Sequence, residues 1–302
     1  MPPAQTNRYL DPAALGRLKN LGLAARTAVE GFFSGMHRSP DKGFSIEFAE
    51  HREYAPGMDP RHVDWRVLGR RDKLYVKQYE EETSLRLHLV LDTSASMAYR
   101  SDAAPMTKLD YACYLAASFA YLASTQHDAA GLVTVDSAER DRIPPKQGPG
   151  HLRAIMHGLE TAKPGGETAL GPVLHRLAGT FGRRAMVVVI SDLLDDPDAI
   201  IAGLKHFRHN KHEVLVLQVL DPAEVHFPFD DVSRIQDMET GREVLCDPAA
   251  FRVEYLETFG RFLETIRGGC RSARIDYAAA ETGERFDGFL GAYLARRQRM
   301  KA

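Results

Sequence analysis

The chain has 302 residues, 39 Lys+Arg against 41 Asp+Glu, a formal net charge of −2, 44% apolar residues and 26% charged residues. That composition excludes an intrinsically disordered chain, a collagen-like repeat and a disulfide scaffold, and it leaves ample material for a core. The near-neutral balance argues against wholesale nucleic-acid binding, which normally leaves a strongly basic domain.

Asp11-Pro12 opens a helix, with Asp able to cap free N–H groups and Pro at home in the first turn. Leu15, Leu18, Leu21 and Ala25 continue it as one apolar stripe towards Phe32 and Phe33, and Gly35 with Ser39-Pro40 ends it. Phe44, Ile46 and Phe48 alternate with polar positions, as in a half-buried strand. A charge-dense stretch, Arg61–Lys73, comes next, and then Leu74, Val76 and Tyr79 mark a second short strand. So polar a segment is expected to pack on the domain downstream of it rather than fold alone.

From Leu85 the pattern becomes regular. Leu85–Leu91, Gly131–Val135, Met186–Ile190 and Val214–Leu220 read as strands, and the unbroken Met186–Ile190 run marks burial on both faces. Thr107-Lys-Leu-Asp110 reads as a capping box opening a core helix over Tyr111–Thr125. Further helices are expected at His151–Thr161, Gly171–Phe181 and Asp198–Asn210. Ser233–Cys246 reads as a hairpin around Glu239-Thr-Gly-Arg242, followed by a long helix over Arg252–Cys270, a short strand at Ile275–Tyr277 and a closing helix over Phe286–Arg297. Strands alternating with helices at this spacing mean an α/β fold, a doubly wound, mostly parallel sheet with helices on both faces. Residues 1–83 then form a preface, a helix and a charged segment, and residues 84–302 the α/β domain with its hairpin and closing helices.

Cys113, Cys246 and Cys270 lie far apart and form no Cys-x-x-Cys pair, which suits a reducing compartment and gives no zinc motif. The first residues hold no apolar signal segment. The Tyr111–Thr125 helix would span only about 23 Å against a bilayer core of roughly 30 Å. A soluble, cytoplasmic protein with no membrane insertion is expected.

Ligands of open α/β sheets bind beyond the carboxyl ends of the strands. The first regular strand ends in Asp92-Thr-Ser94-Ala-Ser96, whose three oxygen side chains would point the same way in an extended chain. Thr168 precedes a helix in Gly165-Gly-Glu-Thr168, and Asp192 follows the most apolar strand. Together Asp92, Ser94, Ser96, Thr168 and Asp192 make an oxygen-only set of the kind a hard divalent cation requires.

This pattern resembles the metal-ion-dependent adhesion site of von Willebrand factor A domains. Upstream, Tyr54-Ala-Pro-Gly57-Met-Asp59-Pro-Arg61-His-Val-Asp64-Trp65-Arg66 and Leu74-Tyr-Val-Lys77-Gln-Tyr79-Glu80-Glu81-Glu82 resemble the bacterial domain-of-unknown-function 58 family, in which such a segment joins an A-like domain. The resemblance implies Mg²⁺ or Mn²⁺ held directly by Ser94 and Ser96, directly or through water by Thr168, and often through water by Asp92 and Asp192. It implies an open position that accepts an acidic side chain of a protein partner. It also implies association with a MoxR-type AAA+ ATPase in a chaperone-like assembly or maturation system. Gly57-Met58-Asp59 departs from the pair of acids that relatives more often carry after the glycine.

The alternative is a metal-dependent hydrolase or phosphatase using the same site. A haloacid-dehalogenase-type phosphatase needs Asp-x-Asp-x-Thr, and the second acid position here is Ser94. Neither Gly-x-Ser-x-Gly nor Gly-x-x-x-x-Gly-Lys occurs, Gly148-Pro-Gly150 lacks the third glycine of a dinucleotide site, and Ser39-Pro-Asp-Lys42 lies in a Pro-containing loop. His206, His209 and His212 are three apart and drift about 60° per step on a helix, so they do not converge on zinc. Arg61, Asp64, Trp65 and Arg66 form an ion-paired flank anchored by the only tryptophan and are the candidate partner-docking residues.

Overall fold

The computed structural model describes residues 47–53, 75–80 and 85–293, apart from 183, 231, 232, 239, 240 and 287. The expected N-terminal helix, the basic C-terminal end, and Arg61, Asp64, Trp65 and Arg66 lie outside the described residues. Two units are distinguished, one within Phe32–Ser84 and the other holding everything from Leu85 onward. In the first, β1 (Glu47–Glu53) and β2 (Tyr75–Glu80) pair antiparallel, with Phe48 opposite Tyr79 and a register shift between Phe48 and Glu50.

The second unit is built around strands buried along nearly their whole length, Ala129–Val135, Met186–Ser191 and Glu213–Leu220. In chain order come β3 (Arg86–Asp92), α1 (Lys108–Thr125), β4 (Ala129–Val135), β5 (Glu139–Lys146), α2 (Pro149–Thr161) and α3 (Leu170–Thr180). Then come β6 (Met186–Ser191), α4 (Pro197–His209), β7 (Glu213–Leu220), α5 (Pro222–His226), β8 (Ser233–Gln236), β9 (Glu243–Cys246), α6 (Pro248–Ser272) and β10 (Asp276–Glu281). The chain is helical again over 288–293.

Six strands form one sheet in the order β10-β7-β6-β3-β4-β5, and β8 pairs with β9 as the expected hairpin. All neighbours in the large sheet are parallel except β5, which runs antiparallel to β4 at the edge. β5 is absent from the expected elements. Its sequence, Glu-Arg-Asp-Arg-Ile-Pro-Pro-Lys, is mostly exposed, and two prolines without N–H donors are tolerable only on an edge strand. The charges also guard that edge against pairing with another chain.

Val90, Val133, Val187, Val189, Val214 and Val216 cover one face and pack on Leu174, Leu177, Leu204, Phe207 and Ile266 from α3, α4 and α6. Leu87, Leu89 and Leu91 alternate with Val90 and so face the other side, where α1 and α2 lie. Each such side chain contributes about 1.5–3 kcal/mol when fully buried. α3 and α4 meet through glycines: a Cβ on Gly171 would fall 2.6 Å from Ala199 Cβ, and one on Gly203 2.8 Å from the Gly171 carbonyl. Among the described residues, no helix is long and apolar enough to cross a membrane.

The chain winds outward from β3 through β4 to β5, then returns to lay β6, β7 and β10 on the other side. The strand order therefore reverses between β3 and β6, the crevice where doubly wound sheets bind ligands.

Candidate functional site

Asp92 ends β3 and Ser191 ends β6 with Asp192 directly after it, on adjacent strands in register through Leu91 and Ile190. That pairing sets Ser191 beside Asp92, and the Ser191 hydroxyl donates to Asp92 Oδ2 at 2.5 Å. Asp92 Oδ1 accepts from the Ser94 backbone N–H at 2.8 Å. With both oxygens engaged, the buried Asp92 carboxylate orients the loop that carries the two serines.

The chain does not stay extended after Asp92, so the serines do not align by simple alternation. Ser94 caps a 3-10 turn, Ala95–Ala98, and the turn brings Ser94 Oγ and Ser96 Oγ within 3.1 Å of each other. Ser96 Oγ donates to Asp192 Oδ2 at 2.7 Å. Ser94 is buried, whereas Ser96 keeps some exposure, so the cluster opens to solvent on the Ser96 side.

Asp192 is held by the backbone around it. Leu193, fully buried, adopts φ 60, a left-handed conformation costly for a branched-chain residue and of the kind that accumulates at functional sites. Its N–H donates to Ser191 Oγ at 2.8 Å, and the Leu194 N–H donates to Asp192 Oδ1 at 3.2 Å. Gln218 of β7 donates to the Asp192 carbonyl at 2.7 Å and accepts from the Tyr277 hydroxyl at 2.5 Å.

Thr168, half-buried, lies in the loop before α3. That loop is tied to the serine turn by Gly165 N–H to Thr93 O at 2.9 Å and Ala95 N–H to Gly166 O at 3.1 Å. Gly166 has φ +81, and a Cβ there would lie 2.6 Å from Asp136 Oδ2, so only glycine fits. Asp92, Ser94, Ser96 and Asp192 thus share one hydrogen-bonded cluster, and the Thr168 loop is bonded to its rim.

Sequence reasoning missed a cation. Lys108, the first residue of α1 after the Thr107 cap, is fully buried. Its ammonium donates to Asp192 Oδ2 at 2.8 Å and to Glu224 Oε1 at 2.5 Å. Glu224 belongs to the capping box of α5, where its Oε2 accepts from the Asp221 N–H at 2.8 Å. A signal existed in the capping box: a lysine in a helix's first turn faces the positive end of the helix dipole and needs a carboxylate to be settled there.

Burial opposes the Lys108 charge, but Asp192 and Glu224 outweigh it and raise its pKa. Burial, reinforced by the Asp192 charge, pushes Asp92 up to about 7 despite the hydrogen bonds from Ser191 and Ser94. Burial also raises Glu224, against the ammonium beside it. Asp192 and Glu224 share one ammonium while the Asp92 charge opposes that of Asp192, a surplus of negative charge that adds to the cost of burial.

The donor set fits a hard divalent ion. All donors are oxygens, and the separations of 3.1 Å (Ser94 to Ser96) and 2.7 Å (Ser96 to Asp192) lie either side of the ligand–ligand edge of an Mg²⁺ octahedron, about 2.9 Å. A divalent charge would also neutralise the carboxylate surplus. Ser94, Ser96 and Asp192 present the oxygens, with Asp92 positioning the first. Among the described residues, no three His, Cys, Asp or Glu side chains group as a metal site. The histidines go separate ways: the His206 ring lies tilted against His175, centroids 4.3 Å apart, while the buried His212 accepts from the Ala185 N–H at 3.2 Å.

Among solved structures, the chain is similar to BatB from Bacteroides thetaiotaomicron, with 15% identity, a TM-score of 0.49, and coverage of 72% of this chain and 100% of that one. It is similar also to the VWA domain of SpRpn10, with 11% identity, a TM-score of 0.38, and coverage of 72% and 95%. An uncharacterized protein of Mycobacterium tuberculosis is 32% identical over 244 residues, covering 79% of this chain and 76% of its own. The sequence profile described as "Protein of unknown function DUF58" matches residues 50–261. With most of its length matched by that profile and by a relative of this identity, the chain belongs to the DUF58 family.

Proposed function

We propose that this protein is a metal-dependent protein-binding module and not an enzyme. Asp92, Ser94, Ser96, Thr168 and Asp192 hold Mg²⁺ or Mn²⁺, and the ion takes an acidic side chain of a protein partner at its open position. The observation that carries this reading is the convergence of Ser94, Ser96 and Asp192 oxygens at the strand-order reversal, beside the rigidly held Asp92. The partial exposure of Ser96 supports it, because a partner's carboxylate needs a way in. From the family resemblance we take the setting, a cytoplasmic adaptor working with a MoxR-type AAA+ ATPase in assembly or maturation.

The test is affinity capture from the native host with the full chain, in Mg²⁺ and in EDTA, comparing wild type with Asp92→Ala. The reading predicts a defined protein retained only by wild type in Mg²⁺. Partners unaffected by both EDTA and the substitution would refute it. In parallel, a phosphatase and esterase screen with Mg²⁺ and Mn²⁺ checks the hydrolytic alternative: turnover abolished in Asp92→Ala would replace binding by catalysis.

A further inference from the structure

We propose that Lys108 is a resident cation that a divalent ion must displace from Asp192, with Glu224 as the carboxylate that takes it over. The inference rests on the metal-binding reading above and concerns how that site is regulated.

One oxygen carries the argument. Asp192 Oδ2 accepts from Ser96 Oγ at 2.7 Å and from Lys108 Nζ at 2.8 Å, so the ammonium and an ion held with Ser96 draw on the same donor atom. Two cations at one carboxylate repel strongly inside a protein, where little water intervenes. Lys108 cannot answer by swinging into solvent, because its side chain is fully buried. The alternative acceptor is Glu224 Oε1, already at 2.5 Å. Glu224 is in turn fixed by the Asp221 N–H, and Asp221 by the N–H groups of Ser101 and Ala223 at 2.9 Å each.

The built arrangement is therefore an exchange: the ammonium shared between two carboxylates, or the ion on Asp192 with the ammonium on Glu224 alone. The shared state compensates Asp192 in the absence of metal and lowers the affinity of the free site. A partner carboxylate, by adding a further ligand, tips the exchange towards the ion. Metal and acidic partner then each strengthen the binding of the other.

Calorimetric titration of the full chain with Mn²⁺ and Mg²⁺ tests this, using wild type, Lys108→Met, Glu224→Gln and the double variant. Lys108→Met should bind at least about tenfold tighter than wild type, equivalent to about 1.4 kcal/mol. Glu224→Gln should bind more weakly, because the ammonium then stays on Asp192. The double variant distinguishes exchange from a simple change of local charge. If Glu224 acts through Lys108, Glu224→Gln has little effect once Lys108 is gone. If both act only as distant charges, its effect is unchanged, and the proposal is overturned. Binding in wild type with no gain in Lys108→Met also overturns it, leaving the metal site itself standing. Binding in none of the four chains sinks the metal reading. Should Lys108→Met fail to fold, shown by loss of its circular dichroism, the comparison of Glu224→Gln with wild type decides, and equal or tighter binding refutes the exchange.

Discussion

Replacing Lys108 by Met keeps an unbranched side chain of similar length but removes the ammonium that bridges Asp192 and Glu224. Removing one partner of a buried ion pair costs about 3–5 kcal/mol, because the other charge stays buried without compensation. Here Asp192 is fully buried, but the Glu224 side chain keeps 16% exposure, and its pKa is already raised by burial. Glu224 can therefore take up a proton, and the loss should fall near the lower bound, about 3 kcal/mol. That is a large share of the roughly 5–15 kcal/mol that holds a domain together. The assay is urea unfolding at pH 7 in EDTA. A carboxyl whose folded pKa is raised loses stability as pH rises, so the deficit of the variant should shrink on going from pH 7 to pH 5. Adding Asp192→Asn and Glu224→Gln should restore most of the loss. A deficit below about 1 kcal/mol at pH 7, the value typical of solvent-exposed pairs, would mean that the ammonium reaches water and that the buried triad is not what holds Asp192.

Gly203→Ala gains about 1 kcal/mol of helix propensity but sets a Cβ 2.8 Å from the Gly171 carbonyl and 2.9 Å from Leu174 Cβ. Overpacking against backbone, costing about 1–3 kcal/mol, should win and lower Tm; an unchanged or raised Tm would show slack between α3 and α4. His88, stacked on Phe181 at 3.8 Å, has its pKa pushed down to about 4, chiefly by burial and then by the positive groups around it. A depressed histidine contributes stability present above its unfolded value near 6.5 and lost as pH falls towards 4, up to about 3 kcal/mol. His88→Leu should flatten that part of the urea-midpoint profile, and an unaltered acid slope would refute the assignment. Tyr277→Phe removes the donor to Gln218 that backs the Asp192 carbonyl and should cost about 1 kcal/mol; no change in unfolding free energy would show that Gln218 is held without it.

The parts of this molecule that could be read from sequence are those where one physical demand dominates. Met186–Ile190 announces itself because a strand covered on both faces must be apolar throughout, and Thr107 because a helix start needs an acceptor, here for the Asp110 N–H at 3.0 Å. Asp92, Ser94, Ser96 and Asp192 can be picked out as a group, since oxygens just past neighbouring buried strands fall at one rim of the sheet. Their geometry cannot: the serines converge through a 3-10 turn, which no alternation rule foresees. β5 escaped because an edge strand is selected for charge and proline rather than for burial. Lys108 and Glu224 escaped because they lie 116 positions apart, and each alone looks like a solvated charge at a helix start. Only the sheet order, which places α1 and the end of β7 around one crevice, turns them into partners.

The most direct measurement is electron paramagnetic resonance of Mn²⁺ titrated into the full chain, following the loss of the free-ion signal. A metal site built on the two serines takes up one ion per chain, an uptake abolished in Ser94→Ala/Ser96→Ala and reversed by competing Mg²⁺. Uptake that persists undiminished in the double serine variant would contradict that reading.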